Sequence, residues 1–183
     1  MRQSEHFSGP DAGALTPGGE LVARVTEDAR QMLRTGSLRC EILTHLATAA
    51  EVVAGSGASV SILVLDRDGL LRNGASPNLP ADYLTAIDRL KPDAGVGTCA
   101  AAAATGVVVI TPDFLADDKW AELRHLPLAL GYVGAWSVPI KTPEGSVLGT
   151  FGTYYRERRS PTPEEQRAVE LLAEAAAFVL AGC

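Results

Sequence analysis

Residues 132–155 read YVGAWSVPIKTPEGSVLGTFGTYY. Two runs, Tyr132 to Ile140 and Ser146 to Tyr155, are built from β-branched, aromatic and small residues, the side chains that fit a pleated and largely buried surface. Between them Lys141-Thr142-Pro143-Glu144-Gly145 supplies the Pro and Gly of a reversing loop. The pattern predicts an antiparallel hairpin, and a chain organised around such a hairpin is an α+β or all-β protein rather than a helical one.

The flanking segments decide between these two. Downstream, Thr162-Pro163-Glu164-Glu165 combines a capping box with proline at the first helical position, and predicts a closing helix to about Ala181. Upstream, Leu21, Val25, Ala29, Met32 and Leu33 recur at helical spacing and predict a leading helix over 20–36. A second helix, capped by Ser37, is expected to run to about Ala54 before Gly55-Ser56-Gly57. Ala58 to Leu65 and Leu70 to Ala75 flank the polar turn Asp66-Arg67-Asp68-Gly69 and read as another hairpin. A short helix over Pro80 to Leu90, an alanine helix over Ala100 to Thr105, a strand at Val107 to Ile110 and a helix from the cap Asp117 to about His125 fill the middle. The expected class is α+β: a sheet of antiparallel hairpins with helices at both ends of the chain.

A length of 183 residues fits one domain with a short extension. Residues 1–19, rich in Gly, Ser and Pro, read as a flexible arm, 20–36 as the leading helix and 37–183 as the domain. Sixteen basic against 22 acidic residues give a net charge of −6, which argues against nucleic acid or an anionic membrane surface as partner. No run approaches a membrane span or a signal-peptide core. The three cysteines, Cys40, Cys99 and Cys183, are dispersed and suggest neither a disulfide framework nor a zinc site, so a reducing cytoplasm is the expected compartment.

Four ordered motifs then carry a resemblance: Gly95-Val96-Gly97-Thr98-Cys99-Ala100, Asp113 through Trp120, Trp136-Ser137-Val138-Pro139-Ile140 and Leu148-Gly149-Thr150-Phe151-Gly152. In this order the chain resembles a GAF domain of the bacterial signalling type over residues 37–181. The resemblance implies a central antiparallel sheet with the terminal helices on one face and a ligand pocket, formed by helices and loops, on the other. It leaves the ligand open, because GAF domains bind cyclic nucleotides, bilins, haem, small anions and metabolites, and some bind nothing.

The candidate ligand-binding residues are Thr98, Cys99, Ala100, Asp113, Trp120, Trp136 and Ser137. Thr98 is placed as the cap of the alanine helix, where backbone N–H groups favour an anion or a thiolate at Cys99. Cys99 equally suits a buried packing role. Trp120 and Trp136 offer ring surface, although Trp136, inside a strand, also suits the core. The acidic residues near Trp120 do not have calcium-loop spacing, Gly95, Gly97 and Ala100 lack the preceding strand that a dinucleotide fingerprint needs, and His45 and His125 are single histidines that do not establish haem. No metal site is expected, and the cofactor is unknown.

The expected function is a small-ligand-binding sensory module of bacterial signal transduction, acting through its own homodimer, paired along the terminal helices, or through a signalling partner protein. One alternative is a thiol-dependent reductase resembling the free methionine-(R)-sulfoxide reductases, with Cys99 as nucleophile. Another is a dimerisation module without a ligand.

Overall fold

Both terminal helices open on a Thr-Pro step, for the same reason. The computed structural model of the chain describes residues 16–182. In α1, Pro17–Arg34, the Thr16 hydroxyl accepts from the Gly19 N–H at 3.2 Å, and in α6, Pro163–Ala181, the Thr162 hydroxyl accepts from the Glu165 N–H at 3.1 Å. Proline at the first helical position lacks only an N–H that would have no helical partner anyway. The leading helix therefore starts one turn before the expected Glu20, and residues 17–19 are helical instead of part of an arm. The rest of the expected arm, residues 1–15, lies outside the described residues.

The remaining helices are α2, Arg39–Ala54; α3, Ala81–Ala86; α4, Thr98–Thr105; and α5, His125–Ala129. Leu38, not Ser37, caps α2, its N–H donating to the Glu41 carboxylate at 2.9 Å. The helix expected after Asp117 is only a 3-10 turn at Asp118–Trp120, and the chain resumes a helix at α5, across Pro127. That proline sits in the first turn, where it is tolerated.

The strands β1, Ser59–Leu65; β2, Leu71–Ala75; β3, Val109–Thr111; β4, Gly134–Lys141; and β5, Val147–Tyr155 form one antiparallel sheet in the order β2-β1-β5-β4-β3. The 132–155 hairpin supplies its centre, β5 and β4, as expected. Strand alternation sends Val60, Ile62, Trp136, Val138, Phe151 and Tyr155 to the face covered by α1, α2 and α6, where they pack with Ile42, Leu46 and Leu172. Leu63, Ala135 and Tyr154 point to the other face, under α3, α4 and the 113–132 segment.

Candidate functional site

The site is organised by the close approach of α4 to the sheet. Along α4 the residues from Thr98 to Ala103 are buried, and their small side chains let the helix axis come near the strands. Beneath it Ser61, Gly152 and Ser137 are direct neighbours across β1, β5 and β4. A Cβ on Gly152 would stand 2.7 Å from Cys99 Sγ, so only glycine leaves the thiol its place. Ser137 Oγ lies 3.5 Å from the same sulfur. Cys99 is thus a buried thiol over a row of small residues, and it is among the residues that line a cavity.

The cap of α4 is Gly97 and not Thr98. Gly97 has φ 54° and ψ −174°, a backbone conformation that a β-branched residue adopts only with strain. Thr98 consequently falls inside the helix, and its hydroxyl is released from capping. It is buried and has no hydrogen-bond partner. The same holds for Trp120 Nε1, while the Tyr83 hydroxyl adjoins that of Tyr154.

These three residues line one small cleft of about 20 Å³, bounded also by Leu63, Ile87 and Tyr154. That is room for about one water molecule. Burial raises the pKa of the Tyr83 and Tyr154 phenols, so both remain protonated. No charged side chain lines the space. A buried polar group without a partner costs about 1–3 kcal/mol, so two of them, on Thr98 and Trp120, beside one small cavity mark a place where the protein forgoes stability.

The outer wall is Trp120. Its ring packs on Phe114 at 4.2 Å between centroids and faces the Cα of Gly97, where a Cβ would meet the indole at 3.7 Å. The turn that carries it is pinned by Asp117, which accepts from Thr111 at 2.6 Å and pairs with Lys119 at 2.8 Å. Burial works against the Asp117 charge, but the hydrogen bonds from Lys119 and Thr111 outweigh it and hold the carboxyl below its ordinary range. Gly97 N–H donates to Lys119 O at 2.7 Å and ties the turn to the start of α4.

Of the residues singled out in the sequence, Thr98, Cys99 and Trp120 converge on the cavity. Ala100 and Ser137 are buried beside it without lining it. Asp113 does not join them: its carboxylate accepts from Leu115 N–H at 2.9 Å and pairs with Arg158 at 2.6 Å, the work of a turn. Trp136 lies on the opposite face, where its Nε1 donates to the Tyr155 hydroxyl at 2.9 Å. The reason is strand alternation: Ser137 faces α4, so its neighbour Trp136 cannot.

Sequence reasoning missed Tyr83 and Tyr154. Tyr83 offers one signal, an aromatic within a short helix, and Tyr154 none, since either of two adjacent tyrosines could have faced the site. His45 lies on the helix-covered side, 3.6 Å from Asp28. Among the described residues no group of three or more His, Cys, Asp or Glu is placed to hold a metal ion, and no helix is long and apolar enough to cross a membrane.

Comparison with known proteins bears on the fold and the family. Over 136 residues, 74% of its length, the chain is 33% identical to the methyl sulfide methyltransferase-associated sensor of Methanosarcina acetivorans, of which it spans 14%. Its fold is similar to the GAF domain of a phosphoenolpyruvate-protein phosphotransferase from Coxiella burnetii, with TM-score 0.70, 17% identity and coverage of 91% and 95% of the two chains. It is equally similar to the free methionine-R-sulfoxide reductase of Neisseria meningitidis, solved with its substrate, with TM-score 0.69, 18% identity and coverage of 97% and 95%. At such identities these structures speak for the fold. The family profile described as GAF domain matches residues 40–181, most of the chain, and with it the chain belongs to the GAF domain family.

Proposed function

We propose that the chain is a sensory module that binds a small molecule in the cavity between α3, α4 and the Trp120 turn, and passes binding on through α1 and α6 to a second copy of itself or to a partner protein. The observation that carries this reading is the pair of unpartnered polar groups, on Thr98 and Trp120, beside one small cavity. A ligand that satisfies them binds the folded state alone and must raise its stability by mass action. The sensor name of the Methanosarcina relative points the same way.

The route outward has physical support. Leu171 and Phe178 stand exposed on α6. On one side of them a groove of about 790 Å³ runs along α1, and on the other a groove of about 890 Å³ runs along Val107, Val108 and Pro139. A ridge flanked by grooves is self-complementary, as a two-fold interface requires. A thermal-shift screen of small metabolites tests the ligand; no stabilising compound would favour a dimerisation module without one. Sedimentation with and without a stabilising compound tests the route.

A reductase reading has one specific observation in its favour, the position of the Cys99 thiol at the cavity. Cys40 lies exposed on α2, across the sheet from it. Turnover of free methionine-(R)-sulfoxide with a thiol reductant, lost in Cys99→Ser, would replace the sensory reading.

A further inference from the structure

Resting on the ligand-binding reading above, we propose that the cavity selects a small uncharged molecule that presents a hydrogen-bond-accepting oxygen, of the amide or ketone class, and rejects carboxylates of the same shape. The donor chemistry sets the first half. An indole N–H can only donate, so the group that satisfies Trp120 Nε1 must accept. The Thr98 hydroxyl can donate to the same oxygen or take a hydrogen from the ligand's other end, and the Tyr83 phenol, held protonated by burial and shared with Tyr154, lies beside it. Thr98 also opens α4, and the positive end of the helix dipole favours a partially negative atom there.

The walls set the second half. Leu63, Ile87, Leu90 and Leu123 supply apolar contact, and neither a cation nor an anion lines the space. The charged pair of the Trp120 turn, Asp117 and Lys119, is closed on itself at 2.8 Å. A carboxylate entering here would shed its hydration with no counter-charge to meet it. Partial charge at one helix end does not replace a full counter-ion. The space holds about one water, so an occupant larger than that displaces Trp120, which rides on a three-residue turn and not on a long helix or strand.

The two tryptophans make the test self-controlled. Trp136 Nε1 already donates to Tyr155, whereas Trp120 Nε1 has no partner. In a proton–nitrogen correlation spectrum of the whole chain, titration with acetamide should shift the Trp120 indole resonance saturably and leave that of Trp136 in place. Acetate, its charged counterpart, should bind at least about tenfold more weakly. Thr98→Val should weaken acetamide about fivefold by removing one hydrogen bond, without lowering the melting temperature, since the hydroxyl has no partner in the free protein. Acetate matching acetamide at Trp120 would overturn the selectivity while keeping the ligand site. Unchanged acetamide affinity in Thr98→Val would overturn the part given to Thr98. A Trp120 resonance that neither acetamide nor acetate moves before Trp136 begins to move would overturn the ligand site itself.

Discussion

On the side of the sheet under α1, α2 and α6, large side chains meet and the Trp136 indole has its partner; on the side under α4, small side chains meet and the Trp120 indole is left open. Trp136, Phe151, Ile62 and Leu172 fill the first side, and the Trp136 indole finds the Tyr155 hydroxyl. Ser61, Ser137, Gly152 and Cys99 face each other on the second, next to the unpartnered Thr98 and Trp120. Burial of large apolar surface stabilises the fold, and a cavity edged with unmet donors costs stability. One face holds the domain together, and the other is the face to which the proposed ligand is assigned.

Substitutions on the filled side should have the largest effect. Trp136→Ala removes a buried ring together with the partner of Tyr155, and should cost about 4 kcal/mol in urea denaturation. A loss under about 1 kcal/mol would mean that this face is not the structural one.

Next comes the polar clamp between β5 and the start of α6. Arg159 pairs with Glu165 at 2.7 Å, donates to Ala54 O at 3.0 Å and lies over the Tyr155 ring at 3.7 Å. Burial opposes the Glu165 charge, but the bonds from Arg159 and from the Thr162 N–H outweigh it and hold the carboxyl below 4.5. A depressed folded value means that this stability is present above the unfolded value near 4.5 and is lost as pH falls through the folded one. Glu165→Ala should cost about 2 kcal/mol at neutral pH, less than a fully buried pair because Arg159 is 24% exposed, and the gap to the native chain should narrow below pH 4.5. Melting temperatures across pH check both, and a gap constant with pH would assign the effect to packing.

On the open side, Gly152→Ala should cost about 1–3 kcal/mol by pushing α4 off the sheet. Adding Cys99→Ala should return most of that, because the atom in the way is the sulfur. Additive effects in the double variant would show that the glycine serves the strand itself.

The smallest effect on stability is expected at the exposed ridge. Phe178→Glu should change stability by under about 0.5 kcal/mol yet shift the sedimentation coefficient toward a monomer. A monomeric native chain, or a dimer indifferent to both Phe178→Glu and Leu171→Glu, would leave output to a partner protein.

The class of fold was legible wherever a local cause acts alone. Thr162, Pro163 and Glu165 announce a helix start by hydrogen bonds that reach only three residues, and the 132–155 hairpin announces itself by strand-forming residues around a Pro-Gly turn. Thr16-Pro17 carried the same signal and was obscured by the two glycines after it. The site was legible in part. Thr98, Cys99 and Trp120 come together because they flank one short helix and the turn that packs on it.

What the amino-acid sequence by itself determined is therefore the elements and their order outside the 117–129 segment, since caps, turns and periodicities are contacts between near neighbours along the chain. Which face each strand presents was decided only in the tertiary structure. A shift of one residue inverts every side chain of a strand, and nothing local distinguishes Trp136 turned to the helices from Trp136 turned to the cavity. The same is true of Gly97 and Thr98: either can cap a helix, and the choice fell to glycine where the backbone had to take φ 54° beneath the Trp120 ring. The open hydroxyl of Thr98, on which the proposed site turns, is a consequence of that long-range contact.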